Sequence, residues 1–137
     1  MAQALKVNKS LISLNLKLNR LDDKAGSKLC IDLLNNHSEL QEVSLSSNLL
    51  SNMFCESLAE FLRVNKSIKK LDISCNFIDE SNAATLKDSL EFNENIIEID
   101  VRKNQFQPET EAEINEIVTR NYLMSKNIPY KKIGPRK

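Results

Sequence analysis

One histidine and three cysteines are the residues of this chain best suited to hold a metal or to attack an electrophile. A zinc site needs thiolates and imidazoles in close pairs. Cys30, Cys55 and Cys75 lie 25 and 20 residues apart, with no C-x-x-C spacing. An odd number of widely spaced cysteines fits reduced thiols in the cytosol better than a disulfide framework. Cys30 and Cys55 fall within expected helices and Cys75 just before a repeat asparagine, and all three read as small buried thiols. His37 sits in the loop-like string NNHSEL with no carboxylate or cysteine paired to it, and reads as a solvated residue. There is no phosphate-cradling glycine loop, no G-x-S-x-G and no H-E-x-x-H. No catalytic constellation emerges, so the expectation is a protein that is not an enzyme and uses no cofactor and no metal.

What remains is recognition by charge and shape, and that depends on the elements that position the charges. The pattern apolar-x-x-apolar-x-apolar-x-x-Asn occurs four times, at Leu11–Leu14–Leu16–Asn19, Leu40–Val43–Leu45–Asn48, Ile68–Leu71–Ile73–Asn76 and Ile96–Ile99–Val101–Asn104. The copies start 29, 28 and 28 residues apart. Self-similarity at such a period marks a solenoid. Each repeat continues with an apolar residue (Leu21, Leu50, Ile78, Phe106) and an expected helix cap (Asp22, Ser51, Asp79, with Gln107 the weak copy). Pro108 suits a first helical position. Apolar residues then follow in four-residue steps, as in Phe54, Leu58 and Leu62, which keeps them on one helix face. Asn82 and Thr110 stand where the first member of that row is apolar in the earlier repeats.

The expected fold is therefore an α/β leucine-rich repeat solenoid. It is a right-handed β-α superhelix, with a parallel sheet on the concave side and helices on the convex side. The repeated asparagine carries a donor and an acceptor, so it can satisfy backbone groups where each strand turns away. Residues 1–124 form the repeat domain, with a partial repeat before Leu11, and 125–137 form a basic C-terminal tail. The repeats resemble the ribonuclease-inhibitor class, to which a full helix per repeat is characteristic.

Alternation along each strand puts three rows of side chains on the concave face. The rows are Ser13, Glu42, Lys70, Glu98; Asn15, Ser44, Asp72, Asp100; and Lys17, Ser46, Ser74, Arg102. The face is polar and lacks aromatics, and Asp72, Asp100 and Arg102 are its best anchors for a protein partner. Leu18, whose counterparts are Ser47, Cys75 and Lys103, marks a candidate contact beside Lys17 at the N-terminal end.

The charge is uneven. Residues 1–119 carry a balance of −6, and residues 120–137 carry six basic side chains and no acid. Lys131 and Lys132 in this tail suit an acidic protein surface such as tubulin. Tyr130 among these basic residues is a poor footprint for nucleic acid. No run of about 18 apolar residues exists to cross a membrane. Counting back one period aligns Leu5 with Leu33 and Val7 with Val64, so the first strand is expected to need cover, from upstream repeats or from another chain.

The strings LNLKLNRLDD (14–23), LSSNLL (45–50), LDISCNFI (71–78) and IIEIDVRKN (96–104) resemble the C-terminal half of the family of dynein regulatory complex subunit five, also called the t-complex-associated testis-expressed family. That resemblance implies a non-catalytic structural subunit of the nexin–dynein regulatory complex, in the axoneme of a cilium or flagellum. The implied partners are other subunits of that complex. The alternatives are a soluble cytosolic adaptor or inhibitor using the concave face, and a Ran GTPase-activating protein. The last has an acidic tail where this chain has a basic one.

Overall fold

The structure, a computed structural model, describes residues 10–36 and 39–129. The readings of Leu5, Val7, His37, Lys131 and Lys132 lie outside the described residues.

Four three-residue strands, β1 (Ser13–Asn15), β2 (Glu42–Ser44), β3 (Lys70–Asp72) and β4 (Glu98–Asp100), form one sheet in the order β1-β2-β3-β4. All three pairings are parallel. Backbone bonds extend the ladder past the strands, from Leu45 N–H to Asp72 O and from Ile73 N–H to Asp100 O. The helices are α1 (Asp23–Asn36), α2 (Asn52–Val64), α3 (Ala83–Phe92) and α4 (Pro108–Ser125), with a 3-10 turn at Glu80–Asn82 before α3. Pro108 stands at the start of α4, where its missing N–H leaves no partner wanting.

The core lies between sheet and helices. Leu40, Ile68 and Ile96, then Leu50 and Ile78, stack in register and are fully buried, as are Leu58, Leu62, Leu86, Leu90 and Ile114 from the helices. Each such side chain contributes roughly 1.5–3 kcal/mol. Leu11, Leu14, Leu16 and Leu21 occupy the same rows in the first repeat but are only partly buried. Gly26 of α1 packs tightly on the next repeat: a Cβ there would stand 2.6 Å from Phe54 Cδ2 and 2.7 Å from Leu50 Cδ2.

The repeated asparagines stitch the repeats together. Asn48 Oδ1 accepts from the N–H groups of Asn19 and Leu21 in the preceding repeat. Its Nδ2 donates to Leu16 O in that repeat and to Leu45 O in its own. Asn76 repeats the pattern one period on, and Asn104 donates to Ile73 O and Val101 O. The residue before each asparagine takes a left-handed conformation: Leu18, Ser47, Cys75 and Lys103 have φ of 61°, 58°, 56° and 57°. That turn is disfavoured for side chains with a Cβ, yet it recurs in register in all four repeats.

Two expectations need correction. Ser51 precedes α2, but its hydroxyl makes no capping bond. It donates instead to Asp23 of the previous repeat, which also accepts from the Ser51 N–H. Asp22 and Asp79 do cap, accepting from Ala25 and Ser81 N–H. Gln107 makes no capping bond. Ser46 and Ser74, expected on the concave surface, are buried, with their hydroxyls 2.9 Å apart. Lys17 and Arg102, at the two ends of the same row, stay exposed.

Candidate interaction face

The sheet register brings the concave rows together as the sequence spacing requires. Ser13, Glu42, Lys70 and Glu98 are direct cross-strand neighbours, and so are Asn15, Ser44, Asp72 and Asp100. Lys70 Nζ sits between two carboxylates, 3.8 Å from Glu42 and 3.7 Å from Glu98. All three side chains are well exposed, so these pairs add little stability and orient charge instead.

Asp100 and Arg102 form a hydrogen-bonded ion pair on this face. The guanidinium meets the carboxylate through two bonds, Nε at 3.0 Å and Nη2 at 2.8 Å, and the Arg102 backbone N–H adds a third at 3.0 Å. These bonds hold the Asp100 carboxyl below the usual carboxylate range. In the neighbouring repeat, Asp72 uses the same local geometry to accept from the N–H and hydroxyl of Ser74. The strands thus form the floor of an open groove of about 480 Å³, walled by Glu42, Lys70, Asp72, Glu98, Asp100 and Arg102.

Asp72, Asp100 and Arg102 are therefore brought together. Lys17 lies in the same row as Arg102 but three strands away, about 14 Å at the usual strand spacing, with buried Ser46 and Ser74 between them. Leu18 is 72% exposed, and its backbone turns left-handed. It stands apart from the Asp100–Arg102 cluster, so the structure yields two separate places rather than one site.

Burial pushes the Cys30 and Cys55 thiols up to about 12, with the Glu56 carboxylate adding to the effect at Cys55. Both are protonated at neutral pH. Among the described residues no group of three His, Cys, Asp or Glu side chains is placed to hold a metal ion, and no helix is long and apolar enough to cross a membrane. The groove's own chemistry is hydrogen bonding and charge recognition.

Some structural residues escaped the sequence reading. Asn93 and Asn121 are buried and make a second asparagine ladder at the helix ends. The signal was available, since Asn65, Asn93 and Asn121 are spaced by 28. Asp23, Asn52 and Glu80 form a third series, each accepting from the backbone N–H of the residue before the next helical segment (Ser51, Asp79 and Gln107).

A profile of the leucine-rich repeat family matches residues 7–30. A solved structure of leiomodin-1 actin-binding site 2 superposes with a TM-score of 0.79 at 17% identity, covering 92% of this chain and 72% of that one. The fold is that of leucine-rich repeat proteins. The tropomodulin C-terminal domain of Caenorhabditis elegans superposes with a TM-score of 0.61 at 15% identity, covering 92% of this chain and 93% of that domain. No curated protein matches the chain in sequence.

Proposed function

We propose that this chain is a non-catalytic, protein-binding scaffold of the cytoskeleton, and that its concave groove carries the contact. The observation that supports this most is the Asp100–Arg102 pair beside Asp72: charged groups already held in place on an open face lose little freedom when a partner arrives. The two solved structures named above, an actin-binding site of leiomodin-1 and a tropomodulin domain, support a cytoskeletal partner. The strings quoted above support the finer reading, a subunit of the nexin–dynein regulatory complex in the ciliary or flagellar axoneme, with other subunits or tubulin as partners.

The test is sedimentation of the purified chain with actin filaments and with microtubules, beside salt fractionation of detergent-extracted axonemes. The axonemal reading expects the chain to stay with axonemes and leave at high salt, and Arg102→Glu to release it. Co-sedimentation with actin alone would overturn the axonemal reading and keep the scaffold. Recovery wholly in the detergent-soluble fraction, without binding to either polymer, would leave a soluble adaptor.

A further inference from the structure

Each repeat of a solenoid has one face that receives its predecessor and one that covers its successor. In this chain the receiving face is built alike in the second, third and fourth repeats. Ser44 O and Ser46 O accept from the N–H groups of Leu16 and Leu18, and Asp72 O and Ser74 O accept from those of Leu45 and Ser47. The asparagine Oδ1 then accepts from the predecessor's turn, as Asn76 does from Asn48 and Leu50 N–H. The residue after the asparagine donates its own N–H back to the predecessor: Leu49 to Leu21 O, Phe77 to Leu50 O and Gln105 to Ile78 O.

The first repeat carries the same parts on an open edge. β1 is the end strand of the sheet. Asn15 O and Lys17 O stand at the positions of Ser44 O and Ser46 O, and no backbone N–H reaches either among the described residues. Asn19 Nδ2 bonds to Lys17 O, two residues back, as Asn48 and Asn76 bond to Ser46 O and Ser74 O. The amide is therefore turned as theirs are, and its Oδ1 accepts from no described residue. The leucine row is open as well. Leu11, Leu16 and Leu21 are partly buried, whereas Leu40, Leu45 and Leu50 are 1%, 2% and 0% exposed.

The backbone differs at the same place. Arg20 has a φ of 54°, while its counterparts Leu49, Phe77 and Gln105 stay out of the left-handed region. Each of those three donates to a preceding repeat, and Arg20 does not. Its conformation is one that a Cβ disfavours.

These parts specify their occupant. It is a parallel strand with N–H groups for Asn15 O and Lys17 O, followed by a turn with two N–H groups for Asn19 Oδ1 and a carbonyl for Arg20 N–H, over a row of leucines. A plain strand added at the edge supplies the first of these and not the rest. A second copy of this chain has no such face open, because α4 packs against β4 and Asn115 of α4 reaches the groove beside Val101 and Arg102. By register Leu5 and Val7 match the helix end at Leu33 and Val64, not a strand. We propose that the β1 edge is a docking face for a leucine-rich repeat of a partner protein, which continues the solenoid ahead of Leu11. The site lies at the end of the solenoid and does not depend on the function of the concave groove.

The test uses the isotopically labelled full chain and a synthetic peptide with the sequence of residues 39–51, the strand and turn that the second repeat presents to the third. Nuclear magnetic resonance should show shifts confined to β1, its turn and the start of α1. The Arg20 Cα and Cβ shifts should leave the left-handed range. Asn19→Leu should weaken binding roughly tenfold, the scale of one or two net hydrogen bonds, and change the melting temperature of the free chain only slightly. A scrambled peptide should not bind. Arg102→Glu should leave binding intact, which separates this site from the concave one. Shifts elsewhere, no binding, an unmoved Arg20, or binding that survives Asn19→Leu would overturn the proposal. So would self-association of the full chain through β1, because the occupant would then be a second copy.

Discussion

The side chain of Asn121 donates to the backbone carbonyl of Asn93 at 2.7 Å, across 28 residues and one repeat. Its Nδ2 also reaches Ile96 O at 2.9 Å, and both bonds are buried. Asn93 makes the equivalent bond to Asn65 O and adds one to Leu62 O. Asn121→Ala removes a buried donor and strands two carbonyls, at about 1–3 kcal/mol for a group left unpaired. Denaturant titration should show that loss, and amide exchange should show α4 opening before the rest.

Asn48→Leu tests the first asparagine ladder. Leucine is larger in apolar surface and closely similar in volume, so burial alone would favour it. It also strands the N–H groups of Asn19 and Leu21 and the carbonyl of Leu16, and leaves Leu45 O with Asn76 Nδ2 alone. The expected outcome is a loss of roughly 2–4 kcal/mol, since several backbone groups lose their partner at once. Asn19→Leu should cost much less, because Asn19 is exposed and its side chain bonds locally to Lys17 O. A thermal melt that ranks the two variants the other way would remove the asparagine from its assigned role.

These two ladders differed in how easily they could be read. The strand asparagines repeat in all four copies beside an apolar signature, so both period and purpose were legible. In the helix-end ladder the position three residues before Leu40 is His37 rather than asparagine. One broken copy, lying outside the apolar pattern, hid a real period. Asp23, Asn52 and Glu80 were harder still. They share an acceptor oxygen but not a residue type, and only the fold shows that each meets the next repeat's N–H. The concave rows were legible because a strand alternates with period two. Ser46 and Ser74 were misplaced because alternation does not show that two short hydroxyl side chains of adjacent repeats bond to each other and bury, while the long Lys17 and Arg102 of the same row stay exposed.

The Asp100–Arg102 pair predicts a pH dependence. Bonds from Arg102 lower the Asp100 titration point in the folded protein below the ~3.9 of an unperturbed aspartate. A group depressed in this way contributes stability above pH ~4, and the contribution fades as pH falls through the folded-state value. Carboxyl titration followed by nuclear magnetic resonance should place Asp100 low in the native chain. Arg102→Ala should return it toward ~3.9 and flatten the acid limb of the stability curve. An unchanged midpoint in the variant would contradict the assigned cause.

Thiol reactivity should separate the three cysteines. Cys30 and Cys55 are buried and protonated, whereas Cys75 is only partly buried. The thiolate is the reactive form. A disulfide reagent near pH ~8 should therefore modify Cys75 first, with the other two following at the rate of opening. Cys75→Ser should abolish the fast phase.

Gly26→Ala sets two effects against each other. Gly26 lies in α1, and alanine in a helix interior is favoured over glycine by roughly 1 kcal/mol. The new Cβ would overlap Phe54 Cδ2 and Leu50 Cδ2. Phe54 is itself fully buried, so the ring cannot swing into solvent, and overpacking of this kind costs typically 1–3 kcal/mol. The clash should win, giving a net loss by denaturant titration. Phe54→Leu alone should also destabilise, by opening a cavity. Combined with Gly26→Ala, it should cost less than the sum of the two single changes, because the smaller side chain admits the methyl group. Purely additive effects would mean that Phe54 is not what excludes the Cβ.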